Sequence, residues 1–182
     1  MDAIVEAALR KWPNVPHCYG WLGLDARGDW YLRDEQAQAL GPFLRSKGSR
    51  IEHAGLRSFI ERNYASDPVG CWFFQNGPQR VYVELDRAPW VWRLAERGAN
   101  EVSVTSHTGL ATRAESAWVD EQGHLYLATP IGLGSVHSQD MELASRVIEA
   151  GDWQVHDAPF VSLAQRFGHV LSPLAQHAGA RP

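Results

Sequence analysis

The chain has 182 residues, 45% of them hydrophobic, and this length suits one domain or two small lobes sharing a core. A charged fraction of 21% excludes wholesale disorder, and a net charge of −4 without a basic cluster argues against a nucleic-acid partner. Cys18 and Cys71 stand outside any CxxC pattern, so they predict neither a disulfide framework nor a zinc site and fit a reducing compartment. We expect a cytoplasmic protein, since neither a signal peptide nor an 18-residue apolar run is visible.

Apolar residues at helical spacing predict about four helices. They are the segment 4–12 that ends before Pro13, the segment 54–64, the segment from Ser138 or Asp140 to Gly151, and the segment 163–171. Between the first two, residues 37–50 contain two Gly and one Pro and predict a surface loop. The tail 175–182 is expected to fray.

One turn pattern, D-x-x-G followed by large residues two and four places later, occurs three times. Its copies begin at Asp25, Asp67 and Asp120. In each copy the Asp can accept hydrogen bonds from the backbone of its own turn, and the Gly supplies a positive φ. These aspartates are therefore interpreted as turn-formers that lead into strands, in preference to catalytic carboxylates.

Alternation of apolar and polar residues over 80–85 predicts a strand with one buried face, and segment 101–106 is its predicted partner. The segments that follow Gly70 and Gly123 look like equivalent strand-turn-strand units. The predicted fold class is α+β, mainly antiparallel β hairpins in two related repeats packed with about four helices. The predicted lobes are 1–92 and 93–182, forming one unit.

The order of these elements resembles bacterial proteins of unknown function. The resemblance is carried by the patterns WPNVP…YGWL and FFQNGPQRV, and by a set of spaced positions. These are Gly28, Trp30, Ile51, His53, Leu56, Phe59, Asp67, Gly70, Trp72, Phe73, Pro78, Val81, Val83, Leu85, Asp86, Ala88, Pro89, Trp90 and Val91. The sequence is most similar to a proteobacterial family of unknown function. More distantly it resembles another such bacterial family, built from sheet-and-helix repeats and linked to signal transduction.

The resemblance covers roughly residues 12–160 and implies two packed β-rich repeats with helices, without implying a reaction. Two segments depart from the more distant pattern, namely 12–21 and the predicted loop 37–50. Neither family supplies catalytic residues that could be transferred to this chain.

The segment QNGPQR carries the most polar candidate site. Asn76-Gly77 is typical of a hairpin turn, whereas Pro78 predicts a longer and stiffer connection than two residues. Gln75, Asn76 and Arg80 could together bind a carboxylate ligand or a peptide end. Alternatively the segment is a structural turn whose Arg80 pairs with Glu84 or with a turn aspartate.

Two more candidate contacts are His107, in the polar segment TSHTG, and Trp90, one of eight tryptophans. His107 could bind an anion or stand in a turn whose hydroxyls cap backbone groups. Trp90 could line a planar ligand or belong to the core.

Catalytic and metal patterns are weak. The eight histidines lack metal-ligand spacing, although His137 and Asp140 lie three residues apart. Ser135 and His137 lack the surroundings of a catalytic triad. We therefore expect no cofactor, no metal and no catalytic residue, and predict a binding or regulatory module for a small molecule or protein partner. The alternative is a hydrolase-like enzyme that uses His107 or His137 with an Asp.

Overall fold

A computed structural model describes residues 1–97 and 101–179, and its fold is α+β as predicted. The helices are α1 Ala3–Lys11, α2 Glu35–Ala39, α3 Ala54–Arg62, a 3₁₀ helix Ser138–Asp140, α4 Met141–Glu149, α5 Phe160–Arg166 and α6 Pro173–Gly179. The strands are β1 Cys18–Leu24, β2 Trp30–Leu32, β3 Ser49–Arg50, β4 Tyr64–Ser66, β5 Trp72–Asn76, β6 Gln79–Leu85, β7 Trp90–Glu96, β8 Val102–Ser106, β9 Ala111–Thr112, β10 Ser116–Val119, β11 Leu125–Thr129, β12 Gly132–Val136 and β13 Val155–Asp157.

Contacts divide the chain into two compact units. The first unit contains Met1–Asp25, Asp29–Asp86 and the segment that begins at His169, and the second contains Ala26–Gly28 and Arg87–Gly168. The lobes predicted from the sequence, 1–92 and 93–182, stay a prediction. They differ from the contact units because β7 groups with the second unit and α6 with the first.

The first unit contains a six-stranded sheet in the order β3-β2-β1-β6-β5-β4. Strands β1 and β6 run parallel at its centre, and the other pairs are antiparallel. One face carries Val83 and Phe74 and packs with Ile60 of α3 in a cluster of buried side chains. The opposite face carries Phe73 and Tyr82, and α6 lies on this side against β1 and β6.

The second unit contains a seven-stranded sheet in the order β13-β10-β11-β12-β7-β8-β9. Here β12 and β7 form the central parallel pair, and β13 adds a parallel edge strand. If β13 is left aside, the strand order of the second sheet, read from β9 to β10, equals that of the first sheet with six added to every strand number. Both sheets therefore join two three-stranded meanders through a parallel pair, while the relation of the two halves as sequence repeats stays a prediction.

Each predicted Asp turn closes in the same way. The backbone N–H of Asp25, Asp67 and Asp120 donates to the carbonyl four residues later, and the Asp Oδ1 accepts the N–H of that same residue. The glycines of these turns have φ between 80° and 85°, a conformation that costs an L side chain about 1–2 kcal/mol. These aspartates thus serve as turn-formers.

Both sheets bury their aromatic residues. Trp30, Trp90, Trp92 and Trp118 are buried, so the tryptophans of the strands are mostly core. Trp12 and Trp21, in contrast, are exposed.

The surface loop predicted over 37–50 is present at residues 40–48, which form neither helix nor strand, but regular elements occupy both ends of the stretch. This stretch contains the end of α2, the strand β3 and the buried side chain of Phe43. A Cβ added to Gly23 would come within 2.3 Å of the Phe43 ring, so the ring packs directly on the β1 backbone. Local Gly and Pro residues predicted irregular backbone, but the contact that buries Phe43 comes from a distant strand.

Three further expectations need correction. Segment 102–106 pairs with β7 and β9, not with the strand at 80–85. The helix predicted over 163–171 ends at Arg166, because Gly168 takes a φ of 64° and Leu171 turns to accept a hydrogen bond from the Leu85 N–H. The tail contains α6, although residues 180–182 lie outside the described residues.

In the described ranges, no helix has the length and apolar character needed to cross a membrane.

Candidate functional site

The hairpin between β5 and β6 holds three of the predicted site residues, and its own turn uses their polar groups. Asn76 pairs with Gln79, so the connection is the two residues Gly77-Pro78 and the longer connection predicted for it was wrong. Gly77 has a φ of 57°, as the first position of a type II′ turn requires, and proline tolerates the second position. Gln75 is 1% exposed and donates from Nε2 to the Gly77 carbonyl at 2.9 Å. Gln75 thus stabilises the turn, and its role as a ligand contact stays a prediction.

Arg80 lies on the same face of β6 as Tyr82. Its guanidinium carbon stands 4.4 Å from the centroid of the Phe73 ring, in a cation–π arrangement. The expected pairing with Glu84 is absent among the described ion pairs, because that carboxylate receives the Ser172 hydroxyl and the Leu174 N–H. Arg80 therefore flanks the aromatic residues of this face.

His107 and Trp90 belong to the second unit, where their rings lie 5.8 Å apart. His107 Nδ1 accepts the Val91 N–H at 3.2 Å, and burial lowers the pKa of this imidazole to about 3. Trp90 is 5% exposed and donates its indole N–H to the Ile131 carbonyl at 2.8 Å. His107 thus binds the backbone of the interior strand β7, and Trp90 binds the turn between β11 and β12.

The alternative pair, His137 and Asp140, also serves local structure. His137 Nδ1 accepts the Gln139 N–H at the start of the 3₁₀ helix. Asp140 binds the Arg93 guanidinium through both oxygens, at 2.7 and 3.1 Å. Burial tends to raise the pKa of Asp140, but the Arg93 hydrogen bonds lower it below its ordinary value.

A site that residue patterns alone did not indicate lies on the opposite side of the first sheet from α3. Its first component is the Asp67 turn, in which Oδ1 accepts the N–H groups of Val69 and Cys71 at 3.1 and 2.9 Å. The other oxygen, Oδ2, accepts the hydroxyl of Tyr82 at 3.1 Å. Since Tyr82 comes from β6, the turn and the central strands are fixed to each other.

Three rings form the second component. Tyr19 of β1 stacks on Tyr82 with centroids 4.5 Å apart, and on its other face it stacks on His177 of α6 at 4.1 Å. Both ring pairs are within 7° of parallel. The sequence placed Tyr82 beside Arg80, but the partners come from 63 and 95 residues away, beyond the reach of any local pattern.

A cavity of about 150 Å³ opens beside this turn and these rings. Its walls are Tyr19, Asp67, Val69, Cys71, Tyr82, Pro173, Gln176 and His177. We name it the Asp67 cavity. All of its walls belong to the first unit.

Helix α6 forms one wall of the Asp67 cavity, and Glu84 holds the start of this helix. The buried carboxylate accepts the Ser172 hydroxyl at 2.5 Å and the Leu174 N–H at 3.0 Å. Burial raises the pKa of Glu84, which the two hydrogen bonds and nearby Arg33 partly offset. Arg33 is itself 1% exposed and donates to backbone carbonyls, including those of Ser46 and Gly20.

Two ionisable walls of the Asp67 cavity, the Cys71 thiol and the Tyr82 phenol, favour their neutral forms. Burial, and then the negative charges of Asp67 and Glu84, raise the pKa of the Cys71 thiol to about 11. Burial also raises the pKa of Tyr82 to about 12. At neutral pH the cavity therefore offers a thiol that donates to Gln176 Oε1 at 3.0 Å, a phenol and a carboxylate.

Among residues 1–97 and 101–179, no group of three or more His, Cys, Asp or Glu side chains is arranged to hold a metal ion.

A family model described as "Protein of unknown function (DUF2946)" matches residues 1–178. The chain belongs to this family. Its membership confirms the resemblance to bacterial proteins of unknown function, and the family carries no assigned reaction. No curated protein matches the chain.

Two solved structures resemble the fold of this DUF2946 protein. A DUF1285 family protein from Shewanella baltica OS155 shares 13% identity at a TM-score of 0.50, over 74% of this chain and 97% of that one. A DUF1285 family protein from Silicibacter pomeroyi DSS-3 shares 14% identity at a TM-score of 0.49, over 79% and 83% of the two chains. At such identities the likeness concerns the fold alone.

Proposed function

We propose that this protein is a non-catalytic binding or regulatory module whose ligand is a small molecule held in the Asp67 cavity. The observation that carries the proposal is the convergence of the Asp67 turn, the Tyr82–Tyr19–His177 stack and α6 on one concave site. Concave sites with apolar walls and a few convergent polar groups are typical of small-molecule binding.

The protonation of the candidate residues favours binding over catalysis. A general acid or base works best with a pKa near the operating pH. The pKa of His107 falls to about 3 through burial, whereas the pKa of Cys71 rises to about 11. These values support a role in which side chains hold a ligand without exchanging protons with it.

The cellular setting is part of the proposal. Two free cysteines, Cys18 and Cys71, are compatible with a reducing cytoplasm. The net charge of −4 disfavours nucleic acid as a partner. A place in signalling, and a protein partner in place of a small molecule, remain further proposals.

A metabolite screen by thermal shift tests the site with two matched variants. Tyr19→Leu removes the central ring of the stack, whereas Arg80→Ala alters the neighbouring hairpin outside the cavity walls. A ligand at one hundred times its Kd should stabilise the wild type by about 2.7 kcal/mol. We expect the shift to persist in Arg80→Ala and to disappear in Tyr19→Leu.

The unliganded Tyr19→Leu protein must first give a cooperative transition, which shows that it is folded. A ligand shift that survives in Tyr19→Leu and disappears in Arg80→Ala would place the site on the hairpin and contradict the proposal.

A further inference from the structure

We infer that the Asp67 cavity selects a small organic cation, such as a primary ammonium attached to a ring. This inference depends on the binding function proposed above and names the chemical class of its ligand. It is carried by the hydrogen-bonding capacity of Asp67, the charge of the walls and the size of the space.

Asp67 has acceptor capacity left over. An ionised carboxylate has about four lone-pair sites. In the described chain Asp67 accepts three hydrogen bonds, from the Val69 and Cys71 N–H groups and from the Tyr82 hydroxyl. No Lys or Arg among the described residues forms an ion pair with it. An ammonium group would supply the missing donor and the missing charge.

The other described walls add no fixed charge of a Lys, Arg or second carboxylate and contribute further acceptor atoms. Besides Asp67, the described walls contain no carboxylate, and they contain no Lys or Arg. The hydroxyl of Tyr82 donates to Asp67, and its oxygen also accepts from the Arg80 guanidinium, which lies outside the cavity walls. Gln176 Oε1 receives the Cys71 thiol and can accept a second donor. A carboxylate ligand would meet like charge here, whereas a cation would meet complementary groups.

The negative charges around the cavity also favour a cationic ligand. The pKa of the Cys71 thiol rises through burial and then through the charges of Asp67 and Glu84, so negative potential reaches this wall. Arg33 lies close enough to Glu84 to offset part of that carboxylate's charge. Asp67 forms no direct ion pair among the described residues, and the nearby Arg80 guanidinium bonds the Tyr82 hydroxyl and not the Asp67 carboxylate.

The volume limits the ligand to a small one. The space of about 150 Å³ matches an engineered apolar cavity that holds a single benzene ring. Val69 and Pro173 provide apolar contact for such a ring or for a short alkyl chain. The aromatic stack fixes the opposite wall.

Three probes of matched shape and different charge test this inference: benzylammonium, benzyl alcohol and benzoate. Binding is measured with the full chain by following the backbone amide signals of Val69, Cys71 and Gln176 during titration. We expect benzylammonium to bind at least about 10-fold more tightly than the other two probes, which corresponds to 1.4 kcal/mol.

Asp67→Asn removes the charge and keeps a side-chain oxygen for the turn N–H groups. It should weaken benzylammonium about 10-fold and leave benzyl alcohol unchanged. Asp120→Asn is the matched control, because Asp120 forms the same turn and the same kind of tyrosine contact in the second unit. It should leave the binding of each probe unchanged.

Equal or tighter binding of benzoate or benzyl alcohol at these amides, or full retention of benzylammonium binding in Asp67→Asn, would overturn the choice of a cation while leaving a binding cavity. If none of the probes moves these amide signals, the proposed binding function fails together with the inference.

Discussion

The Asp67 turn and the Asp120 turn have the same backbone hydrogen bonds but differ in how many hydrogen bonds the Asp carboxylate accepts. In both, Oδ1 accepts the N–H groups two and four residues ahead, and Oδ2 accepts a tyrosine hydroxyl, from Tyr82 or Tyr126. Asp120 Oδ2 has the His124 ring as a further partner at 3.0 Å, and its side chain is 2% exposed. Asp67 lacks that fourth contact and lines a cavity. The Asp120 carboxylate is saturated with four hydrogen bonds, whereas the Asp67 carboxylate accepts three in the described chain, and we propose the fourth position for a ligand.

The largest expected effect is on the free energy of unfolding when either turn aspartate is replaced by alanine. Asp120→Ala leaves the hydroxyl of the fully buried Tyr126 and two turn N–H groups without their acceptor, so we expect a loss of about 3 kcal/mol. Asp67→Ala should cost about 1–2 kcal/mol, because its turn is partly open to water. Urea unfolding of both variants measures the difference. Equal losses would show that the two turns contribute alike.

Acid should reduce the contribution of Asp120. Burial alone would raise the pKa of this carboxyl, but hydrogen bonds from the His124 N–H, the Tyr126 hydroxyl and the His124 ring lower it below its ordinary value of 3.8. When the pKa of a carboxyl is lower in the folded state than in the unfolded state, the group stabilises the fold fully at pH values above its unfolded pKa. This stabilisation is lost as the pH falls through the folded pKa. The stability gap between the wild type and Asp120→Asn should therefore be constant from pH 7 to about pH 5 and shrink below pH 4. Urea midpoints at pH 7, 5 and 3 measure it, and a gap that widens in acid would contradict this sign.

The smallest expected effect concerns the thiol beside Asp67. The pKa of Cys71 is raised to about 11 by burial and by the charges of Asp67 and Glu84, so alkylation at pH 8 should be slow. Asp67→Asn removes one of these charges and should increase the alkylation rate about 3-fold, as half a pKa unit would. Iodoacetamide kinetics in a Cys18→Ser background measure this, with Asp120→Asn as the control. An unchanged rate in Asp67→Asn would indicate that its charge does not reach the cavity wall.

Much of the fold could be predicted from local chemistry. The three Asp turns, the strand at 80–85 and the helix around 54–64 each follow from interactions within a few residues, and the structure contains them. The single buried face predicted for that strand was wrong, because Tyr82 and Glu84 on the other face are buried as well. The contact residues proposed from the sequence, Gln75, Asn76, Arg80, His107 and Trp90, stay a prediction. Gln75 and Asn76 were proposed as ligand contacts because they are polar residues beside a turn. The Gln75 side chain donates its hydrogen bond to the Gly77 carbonyl of that turn.

By itself the sequence determined the turns and the α+β class, because these depend on φ preferences and short-range hydrogen bonds. Only the tertiary structure decided which turn aspartate has room to accept one more hydrogen bond. That choice required Tyr82 to reach Asp67, Tyr19 to stack between Tyr82 and His177, and Glu84 to hold α6 against the sheet. Its physical reason is that these contacts join residues up to 158 positions apart, as in the pair Tyr19 and His177, so their geometry exists only after the first sheet has closed around its parallel pair.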